Sequence, residues 1–165
     1  MQSSSPGSPS IRPTWDDVWL GAARVISRRS LCSRAQVGAI IVDEQHRVLA
    51  SGYNGPPRGF PHEDSHCMAW CPRAAGTAPT RDPGYNDCPA LHAEANAISV
   101  CDYAARQHGT LYVTSHVCFG CAKLIANSGI ARLVVAPDDE AAWRRPDLSY
   151  DLLLRCGLKV DIYAP

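Results

Sequence analysis

From residue 91 to residue 163 the apolar residues of this chain change spacing in a fixed order, helix then strand, three times over. Ala93, Ala95, Ala97, Ile98 and Cys101 suit a helix over 91–105, and 110–115 reads as a strand. Residues 118–127 read as a second helix, with Gly129 placed to end it, and 130–136 as the next strand. After a loop or short helical turn at 138–146, a helix over 148–155 is stopped by Gly157 and a last strand covers 158–163. Strands joined through helices favour parallel pairing, so few architectures accept this order.

The segment upstream pairs differently. Thr14 is placed as an N-cap with Asp17 three residues on, and Trp15, Val18, Trp19, Ala22, Ala23 and Ile26 recur at helical spacing up to Arg28 and Arg29. A short apolar run at 37–42, a turn at 43–46 and a second run at 48–53 predict an antiparallel hairpin. The expected fold is therefore α/β, a three-layer α/β/α arrangement. Its mixed five-stranded sheet has an N-terminal hairpin, parallel last strands and helices on both faces. Residues 1–13 read as a disordered tail and 14–165 as one domain, interrupted by a long irregular loop at 54–90.

Charge narrows the partners. The 165 residues carry 16 Lys+Arg against 16 Asp+Glu, which argues against a nucleic-acid binder. No apolar run is long enough to span a bilayer, and the start of the chain resembles neither a signal peptide nor an anchor. The expected setting is cytoplasmic, with no membrane partner. There the eight cysteines point to metal ligation before disulfides.

The chemistry concentrates at two predicted helix starts, His92-Ala93-Glu94 and Cys118-Phe119-Gly120-Cys121, with one strand between them. A Cys-x-x-Cys pair at a helix start can aim both sulfurs at one point, where exposed N–H groups favour thiolates. His92 would add a third ligand. Three protein ligands leave the fourth tetrahedral position of Zn2+ open to water, whose pKa falls towards ~7 so that zinc-bound hydroxide forms at neutral pH. Glu94 is too close to His92 to point the same way, and so would stand beside the metal as a proton shuttle. Cys-x-x-Cys alone also describes structural zinc knuckles and redox pairs, and His-x-Glu alone is common. A redox pair would leave His92 and Glu94 without a role.

Apart from Val117 in place of the proline, the combination matches the known zinc nucleobase deaminase signature, His-x-Glu followed by Pro-Cys-x-x-Cys. The chain resembles the cytidine/deoxycytidylate deaminase superfamily, and within it the free-nucleotide deoxycytidylate deaminases. The resemblance rests on Ser30-Leu31-Cys32-Ser33-Arg34-Ala35-Gln36-Val37-Gly38, Gly52-Tyr53-Asn54-Gly55, His92 to Ile98, and Cys118 to Ile130. It implies a cytidine-deaminase-like fold and hydrolysis of dCMP to dUMP and ammonia. It also implies substrate contacts from Asn54, from Arg34 to the phosphate, and from the backbone at Ala93 and Ser115. CMP, a cytidine nucleoside or a modified pyrimidine are competing substrates, and a non-catalytic zinc or nucleotide-binding module is the reading of another class.

Two positions depart from the family pattern: Val117 stands where Pro usually precedes the first zinc cysteine, and Glu63 follows His62 where Cys is frequent. Some family members carry a second, structural zinc. Cys32, Cys67, Cys71 and Cys88 would complete such a site here, stapling the 54–90 loop, with Cys101 and Cys156 as small core residues. The resemblance further implies a homo-oligomer, a hexamer, and an allosteric nucleotide accompanied by Mg2+.

Overall fold

The computed structural model describes residues 12–60, 70–77, 87–136 and 145–163. The predicted tail at 1–11, His62, Glu63, His66 and Cys67, and most of the predicted 138–146 loop lie outside these residues. Helix α1 (Trp15–Ser27) is followed by strands β1 (Gly38–Val42) and β2 (Val48–Tyr53). Then come α2 (Ala93–Val100), β3 (Thr110–Val113), α3 (Phe119–Ala126), β4 (Arg132–Val135), α4 (Pro146–Arg155) and β5 (Lys159–Ile162). The sheet order is β2-β1-β3-β4-β5; β1 runs antiparallel to β2 and β3, while β3, β4 and β5 are parallel. The expected mixed sheet, hairpin and parallel last strands are all present.

Side-chain alternation along the strands divides the core into two layers. Ala39, Ile41, Leu111, Val113, Leu133 and Val135 face α2, α3 and α4. Ile40, Val42, Tyr112 and Val134 face α1 through Leu20 and Ala23. Two glycines let the helices close on the hairpin. A Cβ on Gly38 would collide with the Ala23 carbonyl on α1, and one on Gly52 would collide with the Ala93 carbonyl and stand 2.6 Å from the Ala97 nitrogen on α2. Among the described residues no helix is long and apolar enough to cross a membrane.

Helix α1 begins as its capping residues require. The Asp17 amide donates to Thr14 Oγ1 at 3.2 Å, and the Thr14 amide donates back to the Asp17 carboxylate at 2.7 Å. Its buried stripe lies further round than expected, however: Trp15 and Val18 are exposed, whereas Leu20, Ala23 and Ser27 face the sheet. Trp15 instead stacks on Trp19 and on His46 of the hairpin turn.

Helix α2 stops at Val100, short of the expected 105. Asp102 Oδ1 accepts from the Ala105 amide and starts a separate turn, while the Arg106 guanidinium donates to the carbonyls of Ile98, Cys101 and Ser128. These side chains take over the backbone groups that a longer helix would have paired. Cys101 is buried as expected, but Cys156 is exposed. Gly157, at φ +85°, reverses the chain after α4, so that the Leu158 amide donates to the Leu153 carbonyl and Leu158 fills the core position.

One ionic cluster fastens α1 to the sheet. Arg132 on β4 donates Nη1 and Nη2 to the two Asp16 oxygens at 2.8 and 2.7 Å and Nε to Asp161 at 2.6 Å, while Tyr112 donates to Asp16 at 2.8 Å. The Arg132 hydrogen bond holds the Asp16 carboxyl below the usual carboxylate range, against the opposing effect of burial. A depressed folded pKa stabilises the fold above the unfolded value of about 3.9 and loses that contribution as pH falls through the folded value. Arg132→Met is therefore expected to lower the urea midpoint at pH 7 by the equivalent of about 1–2 kcal/mol. It should also flatten the loss of stability between about pH 5 and pH 2. Equal acid sensitivity in the variant would contradict this assignment.

Candidate active site

Two of the three predicted metal ligands are helix N-caps. His92 precedes α2 with extended backbone (φ −73°, ψ 156°), and Cys118 precedes α3 in almost the same conformation (φ −75°, ψ 162°). The Cys118 side chain turns back over the first turn of α3 and accepts from the Cys121 amide, whereas the His92 ring makes no such cap bond; both donors reach the space between the helix starts. Cys121, one turn into α3, supplies the third. His92 Nδ1 lies 3.4 Å from Cys118 Sγ and 3.4 Å from Cys121 Sγ, and the three donor atoms all lie within 4.8 Å of one another. Tetrahedral zinc with bonds of about 2.0–2.3 Å would separate such N and S ligands by about 3.5 Å, so the donor set fits the ion.

The local electrostatics suit thiolates. The Cys121 amide donates to Cys118 Sγ at 3.5 Å. The hydrogen bond to the Cys121 side chain, with help from His92, holds the Cys118 thiol well below the usual thiol range although burial acts the other way. Glu94 sits in the first turn of α2 and is 3% exposed.

Hydrogen bonds fix α2 against the end of β2. The backbones of Gly55 and Leu91 exchange bonds of 3.1 and 2.8 Å, and Asn96 Nδ2 donates to the Tyr53 carbonyl at 2.7 Å. Asn54 is buried and braces the preceding segment: its Oδ1 accepts from the Val37 amide at 2.8 Å and its Nδ2 donates to the Ala35 carbonyl at 2.9 Å. That segment carries Arg34, which is partly buried. Ala93 and Ser115 are buried, on α2 and just after β3 respectively. Sequence reasoning assigned no role to Gly52 or Asn96, although both fall inside the motifs it singled out. It also missed Tyr150, whose hydroxyl meets His116 Nδ1 at 2.6 Å, because no local pattern links residues 34 positions apart.

Among the remaining cysteines, Cys71 is buried and Cys32 and Cys88 are partly so. Burial raises the Cys88 pKa, and charge on Cys71 and Cys32 raises it further, so these three share one neighbourhood. Next to Cys71, Trp70 is exposed and meets the Phe60 ring edge-on at 5.8 Å.

A three-layer α/β/α fold that gathers a His-Cys-Cys group at two helix starts, with a buried Glu94 in the first turn of the helix after His92, defines a protein able to hold a metal ion. Residues 13–137 match the family described as the cytidine and deoxycytidylate deaminase zinc-binding region. The chain is 42% identical over 126 residues to the deoxycytidylate deaminase of Mycobacterium phage D29, covering 74% of this chain and 94% of that protein. It is 32% identical over 154 residues to the deoxycytidylate deaminase of Saccharomyces cerevisiae, covering 93% of this chain but only 46% of the yeast protein. Among solved structures it is similar to the dCMP deaminase of cyanophage S-TIM5 in complex with dCMP and dUMP. That similarity has a TM-score of 0.65 and 27% identity, over 93% of this chain and 99% of the other. The chain belongs to the cytidine and deoxycytidylate deaminase family.

Proposed function

We propose that this chain hydrolyses the 4-amino group of dCMP, releasing dUMP and ammonia. The observation that carries the reading is the convergence of His92, Cys118 and Cys121; the buried Glu94, two residues after His92, supports it. Zinc, when bound there, supplies a water activated for attack at neutral pH. The Glu94 carboxylate would take one proton from the attacking water and deliver it to ring N3, where it stays, and then carry the second proton from the new C4 hydroxyl to the amino group, which leaves as ammonia. Water thus contributes the new C4–O bond while the C4–N bond breaks. The backbone groups at Ala93 and Ser115 orient the pyrimidine edge. Asn54 retains a second amide hydrogen for the nucleoside beyond its bond to Ala35. Arg34 receives the 5′-phosphate, for which a guanidinium is geometrically suited. The similarity to proteins named deoxycytidylate deaminase supports the choice of nucleotide.

The finer parts of this reading concern metals, regulation and setting. A second zinc is held by Cys32, Cys67, Cys71 and Cys88; the shared neighbourhood of Cys32, Cys71 and Cys88 supports it. An allosteric nucleotide with Mg2+ has a candidate seat in a cavity of about 560 Å³ beside β2, where Arg29 and Arg58 offer charge to phosphates. Exposed Leu31, Val100 and Tyr103 provide apolar surface for a homo-oligomer, a hexamer by family resemblance. A reducing cytoplasm, where cysteines stay available as zinc ligands, suits described cysteines that form no disulfide.

Steady-state deamination of dCMP, CMP, deoxycytidine and cytidine side by side tests the substrate. The expected order places dCMP first by at least about tenfold in kcat/KM, the scale of one charged phosphate contact. A preference for a nucleoside would remove the phosphate role of Arg34. Zinc binding without turnover of any of the four would favour a non-catalytic module.

A further inference from the structure

We infer that Tyr150 is a positioning residue for the metal site: through His116 it fixes the loop that delivers Cys118, so that helix α4 governs how firmly zinc is held. The inference rests on the deaminase reading above and concerns a contact outside the motifs that define it.

The loop from β3 to α3 is anchored at both ends. The Thr114 amide donates to the Gly38 carbonyl at 3.1 Å and Thr114 Oγ1 accepts from the Gly38 amide at 3.0 Å. At the other end the Ala122 amide donates to the Cys118 carbonyl at 2.9 Å, starting α3. Between these anchors the residue before Cys118 is Val117, which is fully buried but cannot fix its own φ as a proline ring would. A restraint from outside the loop is the bond of 2.6 Å between His116 Nδ1 and the Tyr150 hydroxyl. The two rings stand 5.9 Å apart at 49°.

Tyr150 is well placed to act as an anchor. Its ring packs on the apolar layer shared by α2, α3 and α4, so the hydroxyl is presented from a fixed body. His116 lies two residues before Cys118, whose sulfur must stay near His92 Nδ1 and Cys121 Sγ to complete the donor set. Releasing the imidazole would let the loop backbone drift and carry Cys118 Sγ with it. The cost would appear as weakened retention of the metal, separate from any change in global stability.

The test uses zinc-loaded enzyme and follows zinc transfer to a chromophoric chelator, together with the visible spectrum of the Co2+-substituted protein. Tyr150→Phe and His116→Ala are each expected to release zinc about three- to tenfold faster, as loss of one partly buried hydrogen bond implies. The Co2+ bands of both variants should shift. The double variant should release zinc no faster than His116→Ala, because both changes remove one interaction. His116→Asn, which keeps a donor and an acceptor close to the position of Nδ1, should stay within about twofold of the parent. Tyr163→Phe, which removes a hydroxyl bonded to Asp17 on the opposite face of the sheet, should match the parent. Zinc release and Co2+ spectra unchanged by Tyr150→Phe, in an enzyme that holds zinc and deaminates dCMP, would overturn the role of the pair alone. Multiplicative effects in the double variant would overturn it too. A parent protein that neither holds zinc nor deaminates dCMP would overturn both this inference and the deaminase reading.

Discussion

Glu94→Gln is expected to retain its zinc and lose dCMP turnover by roughly two to four orders of magnitude, the usual contribution of a positioned general acid–base group. Gln preserves the volume and hydrogen-bonding reach of the side chain, so α2 should keep its packing against β2. It cannot accept a proton and return it within one catalytic cycle. Glu94 is only 3% exposed, in the first turn of the helix that His92 caps, so bulk water does not readily take over the transfer. Metal content and ammonia release, measured on the same preparation, check the expectation. Turnover within about tenfold of the parent would place the proton transfer on another group.

Cys121→Ser is expected to empty the proposed catalytic site and reduce deamination to background. The hydroxyl of Ser is un-ionised at neutral pH and lacks the soft thiolate character that zinc selects. The site would then keep only His92 and Cys118, too few donors to hold the ion against solvent. Cys121 is buried in the same apolar layer as Ile125 and Leu153, so a fall in thermal midpoint should accompany the loss. With a second zinc on the Cys32 group, metal analysis should fall from two ions per chain to one. Stoichiometric zinc and normal turnover in the variant would contradict the ligand assignment, while one ion in the parent and none in the variant would reject the second site.

The features of the fold legible in the sequence are those set by local spacing. The strands β1 to β5 and the helix order follow from periodicity, and the Thr14–Asp17 capping box and the Gly157 stop follow from local backbone chemistry. Where reading from sequence went astray, distant groups had intervened. Helix α2 ends early because Arg106 caps its carbonyls from beyond a turn, and Cys156 is exposed because Leu158 folds back into its place. The His92, Cys118 and Cys121 group was visible because each donor sits at a helix start, where sequence position largely fixes direction. The bracing role of Asn54 was not visible, since its partners are backbone groups 17 and 19 positions away, which no local spacing links to it. The same holds for Tyr150, which reaches His116 across the intervening α3 and β4.

The most direct test of the central claim is product analysis of the zinc-loaded chain with dCMP as the sole nucleotide. The account predicts dUMP and ammonia in equal amounts, formed over many turnovers. Unchanged dCMP, with zinc bound at the His92, Cys118 and Cys121 group, would contradict it.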